Sequence, residues 1–336
     1  MHIVTGGLGF IGSNIVKQLA KNNYSEKILI VDRISARNKY INLPSLRNIE
    51  LIDPDDFILI EKKIKSCKKS SIIYHMGACS DTTENNGKFL YENNYKFSKN
   101  IIDLAVEKNL RFINASSASV YGLNKISKEE EKYETPINHY AFTKLLVDQY
   151  IAQKLNKNPK INIISLRFFN VYGFGEFSKG RMASLPFKFF YKLKQGEPLL
   201  LFGKSNGYES GEHSRDFIYV EDILKVIEKC IEKKLTGIYN LGTGENRTFN
   251  DLALSCLNAY NKLYKNESVL NIDEALFKGK IKYIDFPDDL KGKYQSFTRA
   301  NMEKLLKNLI NIPPTSIEDG VFDYYLKMKN FWFNNN

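Results

Sequence analysis

Short apolar runs alternate with amphipathic segments along the first half of the chain. The apolar runs predict strands, and the segments between them, in which apolar residues recur every three or four positions, predict helices. Predicted strands cover residues 2–5, 27–31, 71–76, 111–115 and 162–167, and predicted helices cover residues 11–21, 97–108 and 140–154. Regular alternation of strand and helix favours an α/β fold, with a doubly wound parallel sheet and helices on both faces.

A glycine-rich turn connects the first predicted strand to the first predicted helix. Gly6, Gly9 and Gly12 lie in this turn, and residues without a Cβ allow a tight bend and close approach of a ligand to the backbone. The helix beyond the turn offers free N–H groups and a positive dipole end to a pyrophosphate. Asp32 stands at the end of the next strand, where a carboxylate can accept hydrogen bonds from an adenosine ribose. This combination predicts a dinucleotide-binding site.

The residues around Asp32 leave the type of dinucleotide open. Asp32 itself favours NAD, whereas Arg33 and Lys39 are cations that suit the 2′-phosphate of NADP. Alternatively, both cations are ordinary surface charges that contact no cofactor. We predict NADP from the two cations together, with NAD as the alternative.

The pattern changes after about residue 170, where glycine and aromatic residues become frequent and the alternation is lost. Residues 237–242 have the pattern of a late strand that returns to the sheet. We therefore expect residues 1–170, joined by residues 216–244, to form an NADP-binding domain. Residues 171–215 and 245–336 would form a smaller, interleaved α/β region that binds the substrate.

Composition and charge narrow the class of protein. With 336 residues, 43% of them apolar, the chain can bury a large core. The net charge of +11 would suit nucleic acid, but the lysines are scattered among acidic residues, so we expect no nucleic-acid partner. The four cysteines have neither zinc-site nor disulfide spacing, and we expect no metal. No apolar run approaches the roughly 20 residues of a membrane helix and no signal peptide is recognisable, so we expect a cytoplasmic protein without a membrane partner.

The clearest catalytic pattern is the segment Tyr140-Ala141-Phe142-Thr143-Lys144. Positions i and i+4 share one face of a helix, so Lys144 can lie near the phenol of Tyr140 and lower its pKa from the usual value of about 10. A phenolate formed in this way is a usable base near neutral pH. Ser117 follows a predicted strand at the carboxyl edge of the sheet, where its hydroxyl can hold the reacting oxygen.

Together, the glycine turn, Ser117 and the Tyr-x-x-x-Lys pair resemble the extended short-chain dehydrogenase/reductase family of NAD-dependent nucleotide-sugar epimerases and dehydratases. The resemblance covers nearly the whole chain and implies a Rossmann-type fold. Within the family, the chain resembles the ADP-L-glycero-D-manno-heptose 6-epimerases. This narrower resemblance rests on Gly77-Ala78-Cys79-Ser80, Asn93-Asn94-Tyr95, Phe168-Phe169-Asn170-Val171-Tyr172-Gly173, Lys179-Gly180-Arg181-Met182-Ala183-Ser184, Arg215-Asp216-Phe217 and the segment 286–295.

The resemblance implies an isomerase that converts ADP-D-glycero-D-manno-heptose to ADP-L-glycero-D-manno-heptose for lipopolysaccharide inner-core synthesis. The reaction would oxidise C6 to a ketone on NADP⁺ and reduce it on the opposite face. A homo-oligomer, a pentamer or related ring, is also implied.

The same resemblance implies roles for individual residues. Tyr140 and Lys179 would transfer protons, Ser117 would assist at the reacting oxygen, and Lys144 would hold the cofactor ribose. The cofactor would be contacted by Gly6, Gly9, Phe10, Ile11, Gly12, Asp32, Arg33, Lys39, Met76, Gly77, Ala78, Cys79, Ser80, Asn93, Lys144, Val171 and Lys179. The substrate would be contacted by Ser117, Asn170, Arg181, Lys188, Phe202, Gly203, Lys204, Ser205, Arg215 and Tyr294.

The chain departs from the heptose-epimerase pattern mostly in its substrate half. Arg181 stands in place of a small serine, Lys188 in place of a histidine and Leu8 in place of an alanine, and the segment 203–214 is several residues longer. These departures leave ADP versus GDP open. The alternatives are another nucleotide-sugar epimerase or 4,6-dehydratase of the superfamily, and a silent dinucleotide sensor, which would have no need of a complete Ser, Tyr and Lys set.

Overall fold

The computed structural model describes residues 1–22, 27–34, 39–43, 48–288, 294–308 and 313–334. The strands in this part of the chain are β1 (His2–Thr5), β2 (Ile28–Val31), β3 (Ile49–Ile52), β4 (Ile72–His75), β5 (Arg111–Ser117), β6 (Ile163–Phe168), β7 (Asn170–Tyr172), β8 (Leu199–Phe202), β9 (Ser214–Arg215), β10 (Phe217–Tyr219), β11 (Gly237–Leu241), β12 (Arg247–Thr248) and β13 (Ile281–Ile284). The α-helices are α1 (Phe10–Asn22), α2 (Phe57–Lys65), α3 (Gly87–Leu90), α4 (Phe97–Glu107), α5 (His139–Lys157), α6 (Leu185–Lys194), α7 (Val220–Glu232), α8 (Phe249–Tyr260), α9 (Ile272–Phe277), α10 (Glu303–Leu306) and α11 (Ile317–Asn334).

Seven strands form one parallel sheet in the order β11-β6-β5-β4-β1-β2-β3. Val4 of β1 is paired with Ile30 of β2 on one side and with Tyr74 of β4 on the other. The chain runs outward from β1 to β3 and then crosses to β4, on the other side of β1. This reversal creates a topological switch point at the carboxyl ends of β1 and β4, which is where open α/β sheets bind ligands. The predicted Rossmann-type fold is therefore confirmed.

The apolar pattern missed one strand of this sheet and found another. β3 is an edge strand in which only Ile52 is buried and Leu51 is exposed, so it lacks the continuous apolar run that marks a buried parallel strand. The late strand predicted at residues 237–242 is confirmed, because β11 pairs with β6 along its whole length.

The chain beyond residue 170 is more regular than its sequence pattern predicts. It contains the helices α6, α7, α8 and α11 and three two-stranded sheets, β7 with β10, β8 with β13 and β9 with β12. The aromatic residues that obscure the helical period fill a core, in which Phe190, Tyr324 and Tyr325 are almost fully buried. Phe10, the first residue of α1, belongs to the same core, so this core joins the second half of the chain to the glycine turn.

Candidate active site

The glycine turn lies at the switch point and is too crowded for side chains. Gly6 has a φ of 65°, and a Cβ on it would lie 2.7 Å from the backbone of Gly77, which follows β4. A Cβ on Gly12 would lie 2.1 Å from the carbonyl oxygen of Gly6. The backbone between these glycines leads directly into α1, whose N-terminal N–H groups favour an anion. The cradle therefore fits the pyrophosphate of a dinucleotide.

Asp32 is buried beside this turn and is already engaged. Its carboxylate accepts hydrogen bonds from the backbone N–H groups of Leu8, at 2.9 Å, and Arg33, at 2.8 Å. Lys39 pairs with the same carboxylate at 2.6 Å, whereas the guanidinium of Arg33 pairs with Asp55 at 2.5 Å. Of the two predicted cations, Lys39 is therefore the one that the structure places on the Asp32 carboxylate.

The loop after β4 is fixed against the turn by buried polar side chains. Gly77 donates its N–H to Thr5 Oγ1 at 3.0 Å, and Thr5 Oγ1 is hydrogen bonded to His75 Nδ1 at 2.8 Å. His75 Nε2 is in turn hydrogen bonded to Ser98 at 2.7 Å, and burial lowers the pKa of His75 to about 3. His75 is thus a neutral core residue with both ring nitrogens satisfied, as its place on a strand predicts.

A second anchor of this loop was missed by sequence reasoning. Asn94 is buried, accepts a hydrogen bond from the N–H of Cys79 at 2.8 Å, and donates to the carbonyl of Cys79 at 3.0 Å. The predicted contact Asn93 donates to Asn94 at 2.9 Å. The stretch from Met76 to Ser80 therefore lies beside the glycine turn, where a contact with the dinucleotide is feasible.

Ser117, Tyr140 and Lys144 come together at the carboxyl end of β5. The side chain of Asn138 caps the start of α5 by accepting a hydrogen bond from the N–H of Ala141 at 2.8 Å. Tyr140 and Lys144 then share one face, with Lys144 Nζ 6.0 Å from the centroid of the Tyr140 ring. Lys144 also donates to the carbonyl of Ala115 at 2.7 Å, and the side chain of Ser117 is close enough to the Tyr140 phenol to act on its pKa.

The titration of these groups differs from the simple expectation. Burial raises the pKa of Tyr140, and the hydrogen bond with Ser117 opposes this rise only in part. Burial also lowers the pKa of Lys144 to about 8, against the stabilising charge of Asp148. Burial is thus the largest influence on the pKa of Tyr140, and it acts in the direction opposite to the lowering that is predicted from Lys144.

A buried charge network lies behind Lys144 and was not foreseen from the sequence. Asp148, one helical turn after Lys144, accepts hydrogen bonds from Ser116 at 2.8 Å and Ser165 at 2.6 Å. It also pairs with Arg167 at 2.8 Å, and Arg167 in turn pairs with Glu134 at 2.6 Å. The network ties α5 to β5 and β6, and so fixes the helix that presents Tyr140 and Lys144.

The loop after β7 brings Lys179 to the glycine turn. Lys179 Nζ lies 5.5 Å from the centroid of the Phe10 ring, at the start of α1. Two neighbours predicted to contact the substrate have protein partners instead. Arg181 is 65% exposed and pairs with Asp81 at 2.8 Å, and Lys188 donates to the carbonyl of Arg181 at 2.8 Å. Arg181 thus links this loop to the loop after β4, and the predicted contact of both side chains with the substrate stays a prediction.

Arg215 forms the centre of the second half of the site. It is buried, donates to the carbonyl of Ser214 at 3.0 Å and lies over the ring of Tyr294 at 4.9 Å. The rings of Phe202 and Phe286 pack against Tyr294 at centroid distances of 5.8 and 5.4 Å. Within the described residues no carboxylate pairs with Arg215, and burial lowers its pKa. A buried cation without a counter-ion is a site for an anion.

The long segment 203–214 folds as an ordered hairpin beside Arg215. Ser205 and Tyr208 exchange backbone hydrogen bonds of 3.1 and 2.9 Å across Asn206 and Gly207, which both have positive φ. His213 is buried, and its ring lies 5.3 Å from that of Tyr294. The hairpin thus extends the aromatic cluster.

The remaining residues of the predicted substrate site differ in their exposure and in their hydrogen-bond partners. Asn170 donates to the carbonyl of Asp216 at 3.1 Å and to Thr298 at 3.2 Å, next to Arg215 in the fold. Lys204 is exposed and pairs with Glu209 at 2.6 Å. Part of the motif segment 286–295, residues 289–293, lies outside the described residues.

The described residues contain neither a metal-ligand cluster nor a membrane-spanning helix. No group of three or more His, Cys, Asp or Glu side chains in the described ranges could hold a metal ion. Among the helices that the structure describes, none is long and apolar enough to cross a membrane.

Comparison with known proteins agrees with this geometry. A model of the NAD dependent epimerase/dehydratase family matches residues 2–242. The chain belongs to this family. The match contains the glycine turn, Ser117, Tyr140, Lys144 and the Lys179 loop, so the family is assigned on the part of the chain that forms the site.

Solved structures of similar fold include several nucleotide-sugar enzymes. The Helicobacter pylori ADP-L-glycero-D-manno-heptose-6-epimerase is 27% identical with a TM-score of 0.79, covering 98% of this chain and 96% of that chain. The Methanobrevibacter ruminantium UDP-N-acetylglucosamine 4-epimerase is 25% identical with a TM-score of 0.78, covering 100% and 98%. The Bacillus anthracis dTDP-glucose 4,6-dehydratase, solved with NAD, is 20% identical with a TM-score of 0.76, covering 100% and 99%, and shows the fold alone. The chain is thus a member of the nucleotide-sugar epimerase/dehydratase superfamily, which uses a nicotinamide cofactor.

Proposed function

We propose that this protein epimerises ADP-D-glycero-D-manno-heptose at C6, with NADP as a tightly bound cofactor. The observation that carries the proposal is the grouping of Ser117, Tyr140 and buried Lys144 at the carboxyl end of β5, next to a turn that fits a dinucleotide. The choice of substrate is supported by the motif segments, above all the Lys179 loop. It is also supported by the full-length likeness to the H. pylori heptose epimerase at 27% identity.

The nucleotide end of the substrate would be held at Arg215. This guanidinium is buried, and among the described residues it has aromatic and carbonyl neighbours in place of a carboxylate. A sugar nucleotide has two groups that this site could bind. Its diphosphate is an anion that Arg binds with directional hydrogen bonds. Its base is a flat ring that can lie against Phe202 or Tyr294.

The dinucleotide would be held by the glycine turn, Asp32, Lys39 and Lys144. When bound, it supplies the acceptor and donor of hydride that the reaction needs. We expect denatured, purified protein to release NADP, and release of NAD alone would overturn the assignment. Lys39→Ala should shift the preference towards NAD, because Lys39 would meet the 2′-phosphate and its removal frees Asp32 for the ribose.

Two residues would move protons at the reacting oxygen. Inversion of a carbon centre requires the ketone to present both faces, so its oxygen meets a different wall of the pocket in each pose while Arg215 holds the nucleotide. Ser117 and Tyr140 would serve one pose. Lys179, on the loop that reaches the glycine turn, would serve the other.

Paired variants test this assignment. Tyr140→Phe and Lys179→Met should each abolish epimerisation and leave the affinity for substrate nearly unchanged. Each should still reduce its bound cofactor with one C6 epimer and fail with the other. If Lys179→Met instead raises KM with kcat near that of the wild type, Lys179 is a binding group.

Product analysis separates epimerisation from dehydration. Elimination of water next to a ketone needs an acid and a base, and family members that dehydrate their substrate resemble this chain but carry an Asp-Glu pair after the catalytic hydroxyl. Here Ala118 and Ser119 follow Ser117, and the N–H of Ser119 donates to Ser117 Oγ at 3.2 Å. Incubation with ADP- and GDP-linked D-glycero-D-manno-heptose should give the C6 epimer from the ADP sugar. A 4-keto-6-deoxy product would refute the proposal.

A further inference from the structure

Glu176 is a buried carboxyl group in the middle of the Lys179 loop. Its exposed fraction is 0%. The side chain accepts three hydrogen bonds, from the N–H of Gly173 at 3.2 Å, from the N–H of Ser184 at 2.6 Å and from the hydroxyl of Ser184 at 2.7 Å. Gly173 begins the loop and Ser184 ends it, so one side chain closes the loop by linking its two ends.

The backbone between these anchors is fixed by the same arrangement. Glu176 begins a 3₁₀ turn, and the N–H of Lys179 donates to the carbonyl of Glu176 at 2.9 Å. Gly175, just before it, is left-handed with a φ of 110°. The main chain of Glu176 therefore fixes the backbone position of Lys179, and its side chain fixes the two ends of the loop.

The charges around Glu176 come from the loop, α6 and α11. The cations that face it are Lys179, on the loop, and Lys188, on α6, and the phenols of Tyr324 and Tyr325 face it from α11. Burial raises the pKa of Glu176, and the charge of Lys179 is the strongest opposing influence. Glu176 is the acceptor in all three hydrogen bonds, which suits a carboxylate.

We propose that Glu176 is a positioning residue for Lys179, because its side chain closes the loop that carries Lys179. This inference rests on the proposed function, in which Lys179 handles the proton in one of the two substrate poses. Glu176 itself touches neither substrate nor cofactor. Its loss should affect the half-reaction that Lys179 serves and spare the one that Tyr140 serves.

The test is Glu176→Gln, with Glu197→Gln as a matched exposed control. Glu197 lies at the surface and pairs with Lys192 at 2.9 Å. Cofactor reduction by each C6 epimer should show that Glu176→Gln lowers kcat by about tenfold or more with the epimer that fails in Lys179→Met, because an amide group replaces one of the two oxygens that accept the hydrogen bonds of the loop. With the other epimer, kcat should stay within about twofold, as should KM with both.

Two readouts separate positioning from general damage. Glu176→Asp keeps a carboxylate at this position, so it should recover part of the kcat that Glu176→Gln loses with the epimer that depends on Lys179. The affinity for ADP alone, measured by calorimetry, should be the same in all variants.

The outcomes distinguish this inference from the proposed function. Equal losses with both epimers, or no recovery of kcat in Glu176→Asp, overturn the role of Glu176 while leaving that of Lys179 standing. If Lys179→Met reduces its cofactor with both epimers, the two-residue mechanism itself fails. Should Glu176→Gln not fold, Ser184→Ala decides, because it removes one of the three hydrogen bonds that close the loop and should lower kcat only with the epimer that depends on Lys179.

Discussion

Arg167 offers the sharpest test of how the site is held together. Its side chain is 1% exposed and pairs with Asp148, also 1% exposed, and with Glu134, 11% exposed. Arg167→Met removes the cation and keeps an unbranched side chain that can fill most of the space. Asp148 then keeps only the hydroxyl donors of Ser116 and Ser165.

We expect this change to lower the free energy of unfolding by about 3–5 kcal/mol, because removal of one partner of a buried pair leaves an uncompensated charge. Arg111→Met is the matched control. Arg111 donates to the carbonyls of Cys230 and Leu235, so its removal strands no carboxylate and should cost only about 1–2 kcal/mol.

Urea unfolding followed by circular dichroism at neutral pH would measure both losses, and the slope with urea should be the same in all variants. Asp148→Asn combined with Arg167→Met should be less destabilised than the sum of the two single variants, because the double change removes both charges of the pair. A loss in Arg167→Met no larger than that in Arg111→Met would refute the reasoning.

Three further predictions concern other parts of the molecule. Burial lowers the pKa of His75 from 6.5 to about 3, so the unfolded chain binds more protons between these values and stability falls as the pH drops through them. The loss should be about 3 kcal/mol between pH 7 and pH 4, and unfolding of His75→Asn at both pH values should lack it. Gly12→Ala should abolish retention of the dinucleotide, because its Cβ would lie 2.1 Å from a backbone oxygen of the turn. The control variant Gly87→Ala has its nearest contact at 3.5 Å and should retain the dinucleotide. The absorbance of cofactor released from each denatured variant measures the difference. Arg181→Ser removes an exposed ion pair and should change the free energy of unfolding by less than about 1 kcal/mol, so a larger loss in urea would show that the pair fixes the loop.

The parts of the site that the sequence predicted are those with local signals. The spacing of Gly6, Gly9 and Gly12 between a strand and a helix is visible in seven consecutive residues. The face shared by Tyr140 and Lys144 follows from helical geometry alone. In each case the functional group and the element that positions it are neighbours along the chain, so no tertiary contact has to be guessed.

The unpredicted parts depend on partners from distant elements. Arg167 interrupts an apolar strand, and only the approach of Asp148 from α5 and Glu134 from a loop explains a cation there. Glu176 is equally invisible, because its burial depends on how the loop folds back on itself. For Arg181 the resemblance predicts a substrate contact, which stays a prediction, and the structure adds Asp81 as a partner that the sequence does not reveal.

The two halves of the site differ in how their charges are balanced, and this difference bears on specificity. On the dinucleotide side, Asp32 is paired with Lys39, and the negative charge of Asp148 stabilises the positive charge of Lys144. On the substrate side, Arg215 is buried without a carboxylate among the described residues. We therefore propose that an anionic group of the ligand would complete that half, because a desolvated cation is unfavourable without an opposite charge. The hairpin of residues 203–214 lies against the same aromatic cluster through His213. We therefore expect the choice of nucleotide to depend on Arg215 and this aromatic cluster, away from the hydroxyl groups of Ser117 and Tyr140 that would carry out the chemistry.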